Sequence, residues 1–344
     1  MEAKRKNGLD ILRIIATVLI IFHHYQQAVG DFQGSRISFY SGRFYFGYIV
    51  ELFFVMSGFL AFHYAEKIQK GLNFGVFFGK RALRLLPGVC VGSVLFYVFS
   101  ILYLHLTEEP WLGSYPHFRE IIVNAAGMQA GWFFDANRLN FPLWYISVLL
   151  ICYIWFYLFT WISSKIRVPK EVWYLIMAVA GLGIRLCLAR GIIIHSPFFN
   201  GYTARGYFAF FFGLLIACFW RKWKRTDYYL VFGMLLLTVL PLFFVNILIM
   251  EYVLMVYAFG ALTALFSIPV LSERIKWPGF EIIGKATYWV YVLHMPCLIV
   301  FVLLGEKLFR QTGLANYPAM IGFTMIMFIP ATVMEAAWGK RRKK

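Results

Sequence analysis

Apolar runs about as long as a membrane-spanning helix recur along this chain, the first from Leu9 to Val29, and they leave it few ways to fold. Backbone polar groups in hydrocarbon must be satisfied within the segment or in a closed barrel, and runs this long suit helices rather than barrel strands. The chain has 344 residues, 61% hydrophobic and 14% charged, where a soluble domain carries roughly a quarter charged residues. We therefore expect an all-α polytopic membrane protein. About ten candidate spans can be read, near 9–29, 44–65, 84–105, 143–163, 171–190, 204–220, 228–246, 250–271, 285–304 and 318–337.

The formal charge of +17 would suggest a nucleic-acid partner in a soluble protein. Here the cations fall in short connections on alternate sides, so no nucleic acid is expected. Lys4 to Lys6, Lys67 to Arg81, Lys165 to Lys170, Arg221 to Arg225, Arg274 with Lys276, and the Lys340 to Lys344 tail share one face. Glu108, Glu109, Glu120 and Asp135 lie on the other. The positive-inside rule then puts both termini in the cytoplasm, as an even number of spans requires. Lys4 to Lys6 resemble the basic region of a signal peptide, but Arg13, His23 and His24 interrupt what should be a clean apolar core, so the first helix is expected to stay. No repeat or composition shift marks a second unit, and residues 1–344 read as one integral-membrane domain without a soluble extension. The longest connection, 106–142, holds an apolar run from Ile121 to Ala130, too short for an ordinary span and either re-entrant or interfacial. Five cysteines sit in or beside apolar runs without metal-ligand spacing and read as packing residues.

Several ionisable residues lie where hydrocarbon should exclude them, and such residues usually face a bundle interior or a polar path. In the first span Arg13 and His24 share one helix face, because eleven steps of about 100° nearly close three turns, and they stand roughly 16 Å apart along the axis. Asp10 falls near that stripe, as orienter of Arg13 or as a simple ion pair; His23 points away. Glu51, in Val50 to Leu60, should pair or titrate, either with Arg13 or beside His24. Ser57-Gly58 offers small residues for close helix approach, or a nucleophile for which no base is visible. Arg81 and Arg84, one turn apart, can fork onto phosphates or snorkel to headgroups. Arg185 either meets an anionic lipid-linked acceptor or snorkels outward, and His294 either lines the same cavity or packs through a hydrogen bond. His23, His63, His105, His117 and His195 read as interfacial or loop residues.

Five stretches in order resemble the acyltransferase-3 family of bacterial membrane O-acyltransferases. They are Leu9-Asp10-Ile11-Leu12-Arg13 with His24, then Glu51 to Leu60, then Arg81 to Pro87. Leu143-Trp144-Tyr145-Ile146-Ser147 and Gly284 to His294 follow. Many members carry acidic residues shortly after the Trp motif, where this chain has Leu149 and Leu150. The resemblance implies transfer of an acyl group, usually acetyl, from cytoplasmic acyl-CoA to a hydroxyl of a cell-envelope glycan or lipid-linked glycan, in a multi-pass protein of the bacterial cytoplasmic membrane. His24, Arg13 and Glu51 are then the catalytic candidates, with His24 as general base, and Arg81, Arg84 and Arg13 the candidates for binding CoA. Asp10, Ser57, Trp144, Arg185 and His294 are candidates for lining the cavity. Acyl-CoA would be a donor substrate; no permanently bound cofactor and no metal are expected. A proton-coupled exporter of a glycan or small molecule is the competing class, weakened because broken helices in two matching halves are not evident.

Overall fold

A computed structural model describes residues 7–41, 45–133, 139–220, 248–268, 278–307 and 313–342. Its helices are α1 (Asn7–Val29), α2 (Ile49–Ala61), α3 (Ala65–Gln69), α4 (Phe74–Thr107), α5 (Phe118–Ala125) and α6 (Trp144–Lys165). They continue as α7 (Lys170–Ala189), α8 (Gly201–Trp220), α9 (Leu248–Phe266), α10 (Pro278–Lys307) and α11 (Tyr317–Arg342). A two-residue antiparallel pair, His195–Ser196 with Phe199–Asn200, is the one sheet among the described residues. Eight helices there are long and apolar enough to cross a membrane, and Met250–Phe266 is a shorter apolar helix. The chain is an all-α polytopic membrane protein. The expected span at 228–246 lies outside the described residues.

The third span begins earlier than hydropathy suggested. Asn73 caps α4, its side chain accepting from the Gly75 amide at 2.8 Å, and the helix then runs 34 residues. That is about 51 Å at 1.5 Å per residue, well beyond a hydrocarbon core of roughly 30 Å. Lys80, Arg81 and Arg84 therefore stand on a rigid helix, not in a loop, at what we call the basic end.

The bundle closes through small residues. A Cβ on Gly58 of α2 would come within 1.9 Å of the Phe210 carbonyl oxygen of α8, and one on Gly213 within 2.1 Å of that of Val55. Only glycine lets these backbones touch, the packing reading of Ser57-Gly58. α10 lies against α1, α4 and α11. Pro296 lacks an amide hydrogen, which frees the Val292 carbonyl in the preceding turn; that oxygen takes the Asn140 side-chain amide at 3.2 Å.

Residues 126–133, which follow α5, enter the bundle without being helical. A Cβ on Gly127 would lie 2.7 Å from both Leu86 and Leu150, so the chain here reaches residues well inside α4 and α6. Buried backbone without a helix needs other partners. Asn124 donates to the Leu139 carbonyl at 2.7 Å, and Gln129 to the carbonyls of Leu139, Asn140 and Phe141 at 3.3 Å. Ser147 donates to the Ala130 carbonyl at 2.7 Å and accepts its amide at 3.1 Å. All five cysteines are free.

Candidate active site

The basic ends of α1, α4 and α10 surround a cavity of about 370 Å³. Arg13, Lys80, Arg81, Arg84 and Lys285 line it, and among the described residues no carboxylate does. Each charge is placed by its helix. Arg13 lies one turn above Asp10, whose carboxylate it meets at 3.0 Å. Asp10 is itself held against α10, where a Cβ on Gly284 would come within 2.7 Å of it. Lys285 pairs with Glu281 at 2.6 Å on the exposed side of α10. Arg81 is fixed most completely: its guanidinium lies 3.7 Å from the Phe77 ring centroid, 4.1 Å from Tyr64 and 5.1 Å from Tyr153, and it donates to the Phe77 carbonyl at 2.8 Å. Aromatic faces hold such a cation in place without neutralising it, and it stands in the cavity lining.

Ser57, Leu149, Tyr145 and Tyr291 form the cavity's apolar and hydroxyl-bearing wall. Ser57 Oγ and the Tyr145 hydroxyl are 3.0 Å apart. Tyr291 donates its hydroxyl to the Pro142 carbonyl and stands edge-on to Tyr145, 5.7 Å between centroids. Behind Tyr291 lie two imidazoles. His294 is fully buried, with its ring 5.9 Å from Tyr291 and 5.2 Å from His24. Phe141 closes the other side of His24 at 5.3 Å.

The two imidazoles share a protonation pattern. His294 Nδ1 lies 2.6 Å from the Tyr291 carbonyl oxygen, and His24 Nδ1 lies 2.9 Å from the Gln27 amide oxygen. Both partners only accept, so each Nδ1 carries the hydrogen and each Nε2 presents a lone pair. The other end of the Gln27 amide donates to Tyr40, an exposed side chain, at 3.4 Å. His24 thus stands between the buried Tyr291 and a path outward through Gln27 and Tyr40.

Glu51 belongs to a different arrangement. Its partner is neither Arg13 nor His24 but Arg205 of α8, which grips the fully buried carboxylate with Nε at 2.6 Å and Nη2 at 2.8 Å. The Tyr252 hydroxyl adds a bond at 3.2 Å. Arg205 also donates to the Gly47 carbonyl at 2.8 Å, and its guanidinium lies 4.8 Å from the Trp144 ring centroid. Trp144 therefore packs on this ion pair, and Arg185 lies over the Tyr252 ring at 4.9 Å. Of the residues singled out in the sequence, the structure places Arg13, Ser57, Arg81 and Arg84 in the cavity lining. It sets Asp10 behind Arg13, His24 and His294 beyond Tyr291, and Glu51, Trp144 and Arg185 around Arg205.

Arg205 escaped the sequence reading although a signal was present: it is the one charged residue in the apolar Gly201–Trp220 helix. His23 also differs from expectation. It is buried, bonded through Nδ1 to the Phe39 carbonyl at 2.9 Å, and covered by the rings of Tyr40 and Tyr45 at 5.1 and 5.0 Å. The loop after α1 folds back over it, which helical phase cannot reveal. His63 lines the basic mouth of the cavity, while His105, His117 and His195 are exposed. Among the described residues no three His, Cys, Asp or Glu side chains converge as a metal site.

Comparison with curated proteins returns no match, and comparison with solved structures returns none either. A family model described as an acyltransferase domain matches residues 6–334, a stretch that holds the cavity, the histidine pair and every helix just described except the end of α11. The chain belongs to the acyltransferase-3 family and is a membrane acyltransferase.

Proposed function

We propose that this protein moves an acetyl group from cytoplasmic acyl-CoA to a hydroxyl of a cell-envelope glycan, with His24 as general base, in the cytoplasmic membrane of a bacterium. The observation that carries the reading is the basic cavity that ends on Tyr291, with His24 and His294 directly behind it. Five lining cations, with no lining carboxylate among the described residues, suit the phosphates of CoA, and guanidinium forks are the side chains best matched to them. The pantetheine arm would run along the Ser57, Leu149 and Tyr145 wall, bringing the thioester toward Tyr291. Leucine at 149, where many relatives are acidic, gives that wall apolar surface.

In the chemical step His24 Nε2 takes the proton of the acceptor hydroxyl as its oxygen bonds to the thioester carbonyl carbon. The tetrahedral adduct collapses, the C–S bond breaks, and the imidazolium returns the proton to the thiolate as CoA leaves. A histidine is suited to both halves because its ordinary pKa lies near neutrality, and such catalysis is worth about 10²–10⁴-fold.

The test supplies purified protein with radiolabelled acetyl-CoA and candidate envelope glycans, beside His24→Ala. The expected result is labelled glycan from the wild type and a loss of about 10²-fold or more in the variant. Equal transfer by both proteins removes His24 from the mechanism. Movement of the glycan across vesicles without any acetylation replaces the enzyme with a carrier.

A further inference from the structure

His24 has a base's role in the reading above, but its neighbour has none. His294 Nε2 is fully enclosed and has no hydrogen-bond partner among the described residues. A buried nitrogen lone pair without a donor is costly, so a native structure that keeps one needs a reason for it. Packing alone does not supply that reason. The Nδ1 bond to Tyr291 is local to one helical turn, and a leucine or phenylalanine would fill the same volume without an orphan atom. The companion imidazole, 5.2 Å away with its plane tilted by 31°, is also tied down at Nδ1 and also presents Nε2. Neither ring can donate to the other while both Nδ1 hydrogens are engaged by carbonyl oxygens. The pair is therefore two acceptors, side by side, of which the enclosed His294 Nε2 lacks a donor among the described residues.

We propose that His294 Nε2 binds the acceptor by taking a hydrogen bond from the hydroxyl next to the one His24 deprotonates, so that the site selects a vicinal diol. A lone alcohol satisfies one imidazole and leaves the other orphaned; adjacent sugar hydroxyls satisfy both. His294 stays neutral throughout, and the proton and acyl transfers remain those already written for His24. The assignment rests on the acyl-transfer reading and narrows its acceptor from any hydroxyl to a paired one.

The test uses full-length protein in lipid nanodiscs, radiolabelled acetyl-CoA, and the methyl glycosides of glucose, galactose and mannose with their monodeoxy derivatives. Octan-1-ol serves as the lone-hydroxyl acceptor. In the wild type, removing the hydroxyl adjacent to the acetylated one should lower kcat/KM about ten-fold, the effect of one buried hydrogen bond. His294→Leu should show a similar loss with the intact glycoside and no further loss with the deoxy form. His294→Gln, which restores an acceptor oxygen, should recover part of the discrimination. A purely structural role would lower both acceptors alike, and a deoxy penalty unchanged in His294→Leu overturns the proposal. Octan-1-ol acetylated as well as the best glycoside also overturns it while keeping the acyltransferase reading. Transfer to no acceptor at all removes both.

Discussion

The molecule buries arginine in two ways, and the contrast separates what holds the bundle from what serves a ligand. Around Glu51 the charge is closed: Arg205 spends its fork on one carboxylate and a backbone carbonyl, and Tyr252 completes the shell. Around the basic cavity the charge is only partly answered: Asp10 meets Arg13 and Glu281 meets Lys285 from outside, while no carboxylate among the described residues lines the cavity itself. A closed pair has little left to offer a substrate. A cavity wall with an excess of cations is a poor way to stabilise a fold and a good way to bind phosphate.

The largest expected effect comes from breaking the closed pair. Glu51→Leu leaves Arg205 charged in a dry interior, and such a loss costs about 3–5 kcal/mol. The unfolding midpoint of the purified protein should fall sharply, and Glu51→Leu with Arg205→Leu together should recover much of it. If the double variant is no more stable than the single one, the pair is not a closed unit. A stable Glu51→Leu protein that has lost all transfer would instead move Glu51 into the chemistry.

The open cluster should respond in the opposite sense. Arg81→Ala with Arg84→Ala removes two guanidinium forks from the cavity lining. We expect CoA affinity to drop about 100-fold, near 1.4 kcal/mol for each charge-assisted contact, with a smaller fall in the unfolding midpoint than Glu51→Leu gives. Calorimetric titration with CoA checks this, and unchanged affinity would dissolve the distinction between the two regions. Arg81→Lys sharpens it further. The ammonium keeps the charge but cannot lie flat among Phe77, Tyr64 and Tyr153, so affinity should fall part of the way.

Features set by local periodicity were legible in the sequence. The all-α bundle follows from the apolar runs, and the shared face of Arg13 and His24 from helical phase. What the sequence left open was which helices adjoin. Glu51 announced a need for a partner, but Arg205 lies 154 residues away, on a helix whose neighbour hydropathy does not name. The same holds for His294, which meets His24 only because α10 packs on α1. The depth of the described residues between α5 and α6 was hidden too. Their buried backbone is satisfied by the side chains of Asn124, Gln129 and Ser147 rather than by a periodic pattern. The early start of α4 was readable in principle, since Asn73 is a good cap, but charged residues in the first turns masked the helix from a reading based on hydropathy.

Ser57 marks the boundary between the two regions, because it follows Glu51 on α2 yet faces the open cavity. A serine on the wall of an acyl-transfer cavity invites a covalent mechanism, in which its oxygen carries the acetyl group between donor and acceptor. Its recorded partner argues otherwise. The Tyr145 hydroxyl at 3.0 Å is no base at neutral pH, and Tyr145 in turn donates to the Phe53 carbonyl at 3.4 Å. An activated nucleophile needs a base within reach, oriented by a third group. Ser57→Ala should therefore cost only the neutral hydrogen bond to Tyr145, about 1 kcal/mol, and change turnover by roughly five-fold or less. Rapid-quench measurement of labelled protein after mixing with acetyl-CoA supplies the complementary check, with no acetyl-serine expected. A burst of label on the wild-type protein that Ser57→Ala abolishes would turn the cavity wall into the catalytic centre and leave His24 to activate a serine instead of a sugar.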